Sequence, residues 1–109
     1  MIKELTLENF EEFINTNHVN VVKIGAEWCG PCKMVAPILE NVSNTMDESE
    51  VKIGDIDSDD QFELAKNLNI RSIPTTIFYK NGSEIKRRIG QYTEADLTNM
   101  IGECKKIPA

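Results

Sequence analysis

The chain has 109 residues, enough for one domain with a hydrophobic core of its own, which we place over residues 1–109. Its net charge of −6 argues against nucleic acid and against anionic membranes as partners, because both attract basic surfaces. Its three cysteines are an odd number, which fits poorly with a scaffold held together by disulfides.

The sequence predicts neither a signal peptide nor a membrane span. The opening residues, MIKELTLENFEEF, are acidic and lack an unbroken apolar core. The most apolar segment, VNVVKIGA, is too short to cross a bilayer. We therefore expect a cytoplasmic protein, in surroundings that keep thiols reduced.

The first predicted elements along the chain are a helix and a strand. Thr6 is the expected N-cap of the helix. Apolar residues then recur at helical spacing, namely Leu7, Phe10, Phe13 and Ile14. Residues 19–26 are rich in β-branched side chains and predict a strand. A second helix follows the first two cysteines, and Pro37 should kink it because proline removes a backbone donor.

A strand, a short helix and a hairpin come next. Residues 51–57 predict the strand, and Ser58 can cap the helix after it. That helix carries Phe62, Leu64, Ala65 and Leu68. Residues 75–80 and 84–89 predict a hairpin, because an Asn-Gly dipeptide lies between them and suits a type I′ turn.

The last predicted elements are an edge strand and a helix. The basic run Lys86-Arg87-Arg88 is typical of an edge strand that charge protects from aggregation. Thr93 with Asp96 resembles a capping box that begins the helix. Its inward residues are Leu97, Met100, Ile101 and Cys104, and we interpret the last of these as a buried, inert thiol.

The predicted order of elements is α, β, α, β, α, β, β, α. Strands separated by helices imply parallel crossovers, and the hairpin adds antiparallel pairs. The fold class is therefore α/β, a mixed central β-sheet flanked by helices on both faces.

Two cysteines lie two residues apart in the stretch AEWCGPCKMVAP, where a strand ends and a helix begins. A helix N-terminus presents unpaired N–H groups and the positive end of its dipole, which stabilise a thiolate. Cys29 would lie at that terminus, nearer solvent, and is the better attacking thiolate. Cys32 would lie one turn further in, within bonding reach, as the resolving thiol. Pro31 stiffens the turn between them.

A structural disulfide and a zinc site are the alternative interpretations of this cysteine pair. A structural disulfide across so short a loop would stabilise little, because it removes little chain entropy. Zinc normally needs four ligands, and His18 with the three cysteines would supply that number. However, His18 and Cys104 fall on different predicted elements and no second paired motif exists. A redox role is therefore favoured over a metal site.

At these residues the chain closely resembles the thioredoxin family. AEWCGPCK, KMVAPILE, SIPTTIFYKNG and Gly90 match the family's pattern in order, over nearly the whole chain. The resemblance implies the thioredoxin fold and a monomeric protein-disulfide reductase that needs no cofactor. It also implies electron transport from a thioredoxin reductase to protein disulfide substrates, in support of cell redox homeostasis.

The resemblance implies a role for each residue of the motif. Cys29 would attack the substrate disulfide, and Cys32 would then attack Cys29 and release the reduced substrate. Gly30 and Pro31 would support the turn between the sulfurs. Trp28 would cover the site beside them.

A substrate groove is also implied by the resemblance. Pro74 matches the family's cis-proline, which faces the two cysteines and leaves the adjacent backbone free to pair with an extended substrate strand. The shallow apolar groove would be formed by Trp28, Ile73, Pro74 and Gly90.

One pair of positions departs from the family's pattern. The family usually has a buried aspartate six residues before the first cysteine, and here that residue is Lys23. Its usual lysine partner aligns with Ile53, and a usual aromatic residue is Gly25, which leaves room near the site. Residues of one parity share a face of a strand, so Asp55 or Asp57 could pair with Lys23 unless Lys23 extends to solvent. A cation near the dithiol would stabilise the thiolate.

Two alternative functions stay open on the sequence alone. The chain could be a binding module with dispensable cysteines, or its cysteines could hold a metal or an iron–sulfur cluster. Changing both cysteines to serine tests the first alternative, and elemental analysis of anaerobically purified protein tests the second.

Overall fold

The computed structural model describes residues 1–108, which form one five-stranded sheet and four helices. Along the chain the elements are β1 (Ile2–Glu4), α1 (Phe10–Ile14), β2 (Val19–Gly25), α2 (Gly30–Thr45), β3 (Val51–Asp57), α3 (Phe62–Asn67), β4 (Thr75–Lys80), β5 (Ser83–Ile89) and α4 (Glu94–Lys105). The strand order is β1-β3-β2-β4-β5. Strands β1 and β2 both pair with β3 in parallel, whereas β4 is antiparallel to β2 and β5. The predicted mixed sheet is confirmed.

Alternate residues of β2 supply two separate cores. Val19 and Val21 pack with apolar residues of α2 and α4 on one face of the sheet. Val22 and Ile24 pack with apolar residues of α1 and α3 on the other face. All four side chains are almost completely buried, as expected for a central strand that is covered on both sides. Helices therefore flank both faces, as predicted.

The hairpin and the last helix form as their local signals predict. Asn81 and Gly82 have φ angles of 51° and 83°, which suits the type I′ turn. Strand β5 lies at the sheet edge, where the basic run was expected. At the start of α4 the Asp96 amide donates to Thr93 Oγ1, and the Thr93 amide donates to Asp96 Oδ2, both at 3.1 Å. The capping box is therefore confirmed.

Strand β1 and the start of α1 differ from the prediction. The three residues of β1 are too few for a periodic pattern, and the strand exists because it pairs with β3, with Ile2 beside Ile53. Thr6 is not the N-cap, because α1 begins at Phe10 and Asn9 precedes it. The Thr6 amide instead donates to Asn9 Oδ1 at 2.8 Å, in a turn before the helix. Leu7 is accordingly exposed.

The start of α3 also differs from the prediction. The helix begins at Phe62 and not after Ser58, whose amide donates to the Gly25 carbonyl at 2.8 Å. The Asp57 side chain accepts hydrogen bonds from the backbone amides of Asp59 and Asp60. The turn that these bonds form delays the start of the helix. As a result Phe62 is 70% exposed, while Leu64 and its neighbour Ala65 reach the core.

Helix α2 is the longest helix and runs without interruption through Pro37, from Gly30 to Thr45. The kink at Pro37 stays a prediction. Within residues 1–108, no helix combines the length and the apolar character that a membrane span requires.

Candidate active site

The two cysteines of the motif stand at the start of α2. Cys29 is the N-cap residue, with an extended backbone, and its Sγ lies 3.2 Å from the backbone nitrogen of Cys32, which donates to it. Pro31 occupies an early helical position, where no amide hydrogen is needed. Cys29 and Cys32 are joined by a disulfide, with their Cα atoms 5.3 Å apart. The sulfurs are thus within bonding reach, as the spacing predicted.

Both cysteines are largely covered in this disulfide form. Cys29 is 4% exposed and Cys32 is 2% exposed, so both are buried and the expectation that Cys29 lies nearer solvent stays a prediction. Ala26 and Ile73 pack against them as a small apolar cluster. Cys29 Sγ lies 3.9 Å from the Ile73 carbonyl oxygen, and because a disulfide sulfur carries no proton this is a packing contact.

The segment opposite the disulfide has an open backbone position. The Ile73–Pro74 peptide bond is cis, in agreement with the family resemblance. The Pro74 carbonyl accepts a hydrogen bond from the Gly90 amide at 2.9 Å, and Gly90 has a φ of 91°, which favours glycine. Within residues 1–108 the amide and carbonyl of Ile73 take part in no backbone hydrogen bond. Ile73, Pro74 and Gly90 are therefore brought together beside Cys29.

Trp28 lies on the surface next to the disulfide. Its side chain is 69% exposed, and its Nε1 donates to Asp59 Oδ2 at 2.7 Å. The atoms that pack on the cysteines come from Ala26 and Ile73, so the covering role of Trp28 stays a prediction. Asp59 could not be connected to Trp28 from the sequence, because no local signal joins residues that lie 31 positions apart.

Lys23 forms the ion pair that strand parity predicted. Lys23 and Asp55 are register partners on β2 and β3, and Nζ lies 2.9 Å from Oδ1. The Lys23 side chain is 13% exposed, so it does not extend into open solvent. The carboxylate oxygen is not aligned for a hydrogen bond to the ammonium group, and the contact is an ion pair. Asp57, the other predicted partner, instead accepts the amides of Asp59 and Asp60.

The stem of Lys23 lies close to the inner cysteine. A Cβ on Gly25 would stand 3.0 Å from Cys32 Sγ and 3.0 Å from Lys23 Cε, so the sulfur and the lysine stem face each other across this glycine. Both residues line a cleft of about 770 Å³, together with Asp55 and Asp57. The structure therefore places the stem of Lys23 near Cys32, which the sequence alone did not establish.

The residues of the alternative zinc site are not brought together. Cys104 belongs to α4 and is completely buried in the core, and burial raises the pKa of its thiol, which disfavours a metal-binding thiolate. His18 Nδ1 lies 3.0 Å from Thr16 Oγ1. Within the described chain, no three His, Cys, Asp or Glu side chains are grouped as metal ligands would be.

Comparisons with known proteins agree over nearly the whole chain. The family model described as thioredoxin matches residues 1–103. A thioredoxin of Chlamydia pneumoniae is 41% identical over 103 residues, which cover 94% of this chain and 98% of that protein. A thioredoxin of Rickettsia bellii is 35% identical and covers 93% of this chain and 96% of its own. The crystal structure of a Malassezia sympodialis thioredoxin has a TM-score of 0.88 at 30% identity, covering 96% of this chain and 91% of that one.

Proposed function

The chain belongs to the thioredoxin family, and on that premise we propose a residue-level account of how it exchanges disulfides. The protein is a thiol-disulfide oxidoreductase whose reactive pair is Cys29 and Cys32. The observation that carries the account is the N-cap position of Cys29, whose sulfur accepts the Cys32 amide.

The reaction begins with the reduced dithiol. The Cys29 thiolate attacks one sulfur of a substrate disulfide, a mixed disulfide forms, and the other substrate sulfur leaves as a thiolate. Cys32 then loses its proton, and its sulfur attacks Cys29 Sγ. The Cys29–Cys32 disulfide forms, and the second substrate sulfur leaves. Two electrons have then moved to the substrate.

Helix α2 favours Cys29 as the first nucleophile. The Cys32 amide and the N-terminal end of a helix of 16 residues both stabilise negative charge at the Cys29 sulfur. Gly30 and Pro31 hold the first turn in which this amide points at the sulfur. The Cys29→Ser substitution removes the sulfur that accepts this hydrogen bond, and that sulfur is also the nucleophile.

The substrate chain docks beside Ile73 in this proposal. The free amide and carbonyl of Ile73 pair with an extended substrate segment, which brings the substrate disulfide to Cys29. Pro74 and Gly90 form the adjacent floor, and the exposed indole of Trp28 forms a wall of the same groove. Asp57 supports this wall by holding the loop that presents Asp59 to Trp28.

The oxidised protein must regain two electrons after each cycle. We assign this step to a thioredoxin reductase, so that the monomeric protein acts as a cytoplasmic electron carrier between that enzyme and protein disulfides. The family relationship supports such partners in general.

Lys23 is proposed to adjust the acidity of the inner thiol. Its ammonium group is paired with Asp55, and its stem approaches Cys32 Sγ across Gly25. A cation favours the thiolate that Cys32 must become before it attacks Cys29. Because Asp55 partly neutralises that cation, we expect the pKa of the Cys32 thiol to be lowered only modestly. This arrangement takes the place of the family's usual buried carboxylate.

Insulin reduction with dithiothreitol, with and without a thioredoxin reductase and NADPH, tests the proposed cycle. Wild-type protein should accelerate reduction in both settings, and Cys29→Ser should lose all of the acceleration. Cys32→Ser should accumulate a mixed disulfide with insulin, visible by mass spectrometry. If the double variant Cys29→Ser/Cys32→Ser kept its function toward a partner protein, the binding-module alternative would replace this account.

A further inference from the structure

A second cleft lies on the α3 side of the active site. It has a volume of about 600 Å³ and opens between the loop that carries Asp59 and the segment that leads to Pro74. The residues that matter to the argument are Asp59, Phe62, Lys66, Ile70, Arg71 and Ile73, and we call this surface the α3 cleft. Ile73 is the residue whose carbonyl contacts Cys29 Sγ at 3.9 Å. The α3 cleft therefore extends to the residue that contacts the disulfide.

One exposed aromatic ring lines the α3 cleft, and a second is hydrogen-bonded to a residue of its wall. Phe62 is 70% exposed, although Leu64 and Ala65 of the same helix are buried. Trp28 is 69% exposed and is tied by its 2.7 Å hydrogen bond to Asp59, a residue of the cleft wall. Exposed aromatic side chains around one concave surface are typical of a site that another chain covers.

The charge of the α3 cleft opposes that of the whole molecule. Lys66 and Arg71 are exposed, and within residues 1–108 neither side chain forms an ion pair or a hydrogen bond. The Trp28 indole donates a hydrogen bond to the Asp59 carboxylate but leaves its negative charge in place, so the charged residues that line the α3 cleft are two cations and one anion. The net charge of the chain is −6, so two unpaired cations beside the active site form a local surface that attracts a carboxylate.

We propose that the α3 cleft selects protein disulfide substrates that carry a large apolar side chain and a carboxylate next to the reacting cysteine. The apolar side chain packs on Phe62, and the carboxylate is drawn to Lys66 and Arg71. The cleft changes the encounter and binding of substrate and leaves the sulfur chemistry to the two cysteines. The inference rests on the proposed function, because its occupant is the substrate.

The test uses two fluorogenic peptide disulfides that are identical except for the residues flanking the cysteine. One carries Phe and Asp, and the other carries Phe and Lys. Wild-type protein should reduce the acidic peptide about three- to tenfold faster in kcat/KM, because two exposed charge pairs each contribute modestly. Lys66→Glu/Arg71→Glu should invert this preference, and high salt should remove it.

Lys3→Glu/Lys106→Glu is the matched control. These two lysines are also exposed and without an ion-pair partner in the described chain, and they lie outside the α3 cleft. Their reversal changes the net charge equally and should leave the peptide preference in place. The same inversion in this control, or equal rates for both peptides with wild-type protein, would overturn the inference.

Phe62→Ala tests the apolar part of the α3 cleft. The ring is mostly exposed, so its loss should leave folding intact and lower kcat/KM for both Phe peptides about threefold, mainly through KM. Replacement of Phe by Ser in the peptides should abolish that difference. If the variant instead abolished a concentration-dependent self-association of the wild-type protein, a second copy of the chain would be the occupant and the inference would fail.

A small neutral disulfide separates the two proposals. Reduction of bis(2-hydroxyethyl) disulfide requires the active-site cysteines but has no side chain for the α3 cleft. All cleft variants should reduce it at the wild-type rate. If wild-type protein did not reduce this small disulfide, the proposed function would be contradicted. If it reduced the small disulfide but showed no preference between the peptides, only the proposed role of the α3 cleft would be contradicted.

Discussion

Lys23 lies at a position where the family resemblance leads us to expect a buried aspartate. A lysine on a central strand needs a partner, because a buried unpaired ammonium group is costly. Asp55 supplies that partner at 2.9 Å, and Gly25 leaves the space in which the lysine stem approaches Cys32. The ion pair therefore gives the Lys23 ammonium group a partner, and the lysine stem lies near Cys32.

Lys23→Asp should raise the pKa values of the active-site thiols and make the protein more reducing. The substitution replaces a cation by an anion near Cys32, which destabilises the thiolate and hence the reduced form. Thiolate absorbance followed over a pH titration measures the pKa values, and equilibration with glutathione measures the potential. Lys23→Met, which removes the charge but keeps the stem, should give an intermediate result. Thiol pKa values that do not change in either variant would reject the role of Lys23.

Tyr79 carries a pH dependence that can be isolated. Burial, with a smaller contribution from Glu84, raises the pKa of Tyr79 from 10.0 to about 12. The folded protein then holds this proton where the unfolded chain has lost it. The stabilisation is complete below pH 10 and is lost as the pH rises toward 12.

Tyr79→Phe should therefore flatten the loss of stability at alkaline pH. The difference should be on the order of 1 to 2 kcal/mol across that interval, discounted because the ring is not completely enclosed. The edge-to-face contact with Phe10, at 5.6 Å between centroids, needs no hydroxyl and should persist. Urea denaturation at a series of pH values measures the effect, and identical curves for both proteins would contradict it.

Elements of this fold depend on local signals to different degrees. Helix α4 is specified by its own capping box and by an apolar stripe, whereas β1 is specified only by the strand it joins. One glycine on β3, the partner strand of β1, and one glycine on α4 allow the two kinds of element to be compared. Gly54 lies on β3 against the side chain of Leu5, which is 1% exposed, whereas Gly102 lies within α4 with free space where a Cβ would stand.

Gly54→Ala and Gly102→Ala should change stability in opposite directions. A Cβ on Gly54 would stand 2.5 Å from Leu5 Cδ1, so the packed junction of β1 and β3 must shift, at a cost of about 1 to 3 kcal/mol. A Cβ on Gly102 meets nothing within 4 Å, and alanine should stabilise the helix by about 0.5 to 1 kcal/mol. Free energies of unfolding from urea titrations check both values. Equal changes in the two variants would show that packing at Leu5 is not the cause.

At the scale of the whole molecule, the active site is built where separate parts of the chain meet. The sheet carries a core on each face, and the small cluster around the cysteines belongs to neither. The end of β2 leads into the N-cap of α2, the segment before β4 supplies Ile73, and the loop after β3 supplies Asp59. A rigid sheet thus holds loops whose side chains are free to meet a substrate.

The sequence by itself determined the features that act within a few residues. The cysteine spacing at a strand-to-helix junction, the Asn-Gly turn and the capping box each depend on backbone groups that lie within about one turn. The predicted bounds of β3 and β4, residues 51–57 and 75–80, are also confirmed, because strand-forming residues leave a direct mark on local composition. The fold class and the reactive pair followed from these local signals and the family resemblance.

Only the tertiary structure decided the contacts that join distant segments. Strand β1, the exposure of Phe62, the hydrogen bond from Trp28 to Asp59 and the approach of Lys23 to Cys32 all depend on sheet register and on how α2 lies over the sheet. Parity along the strands limited the partner of Lys23 to two aspartates, and register chose Asp55. The physical reason is that such contacts draw their free energy from packing across the whole fold, which no local stretch of sequence encodes.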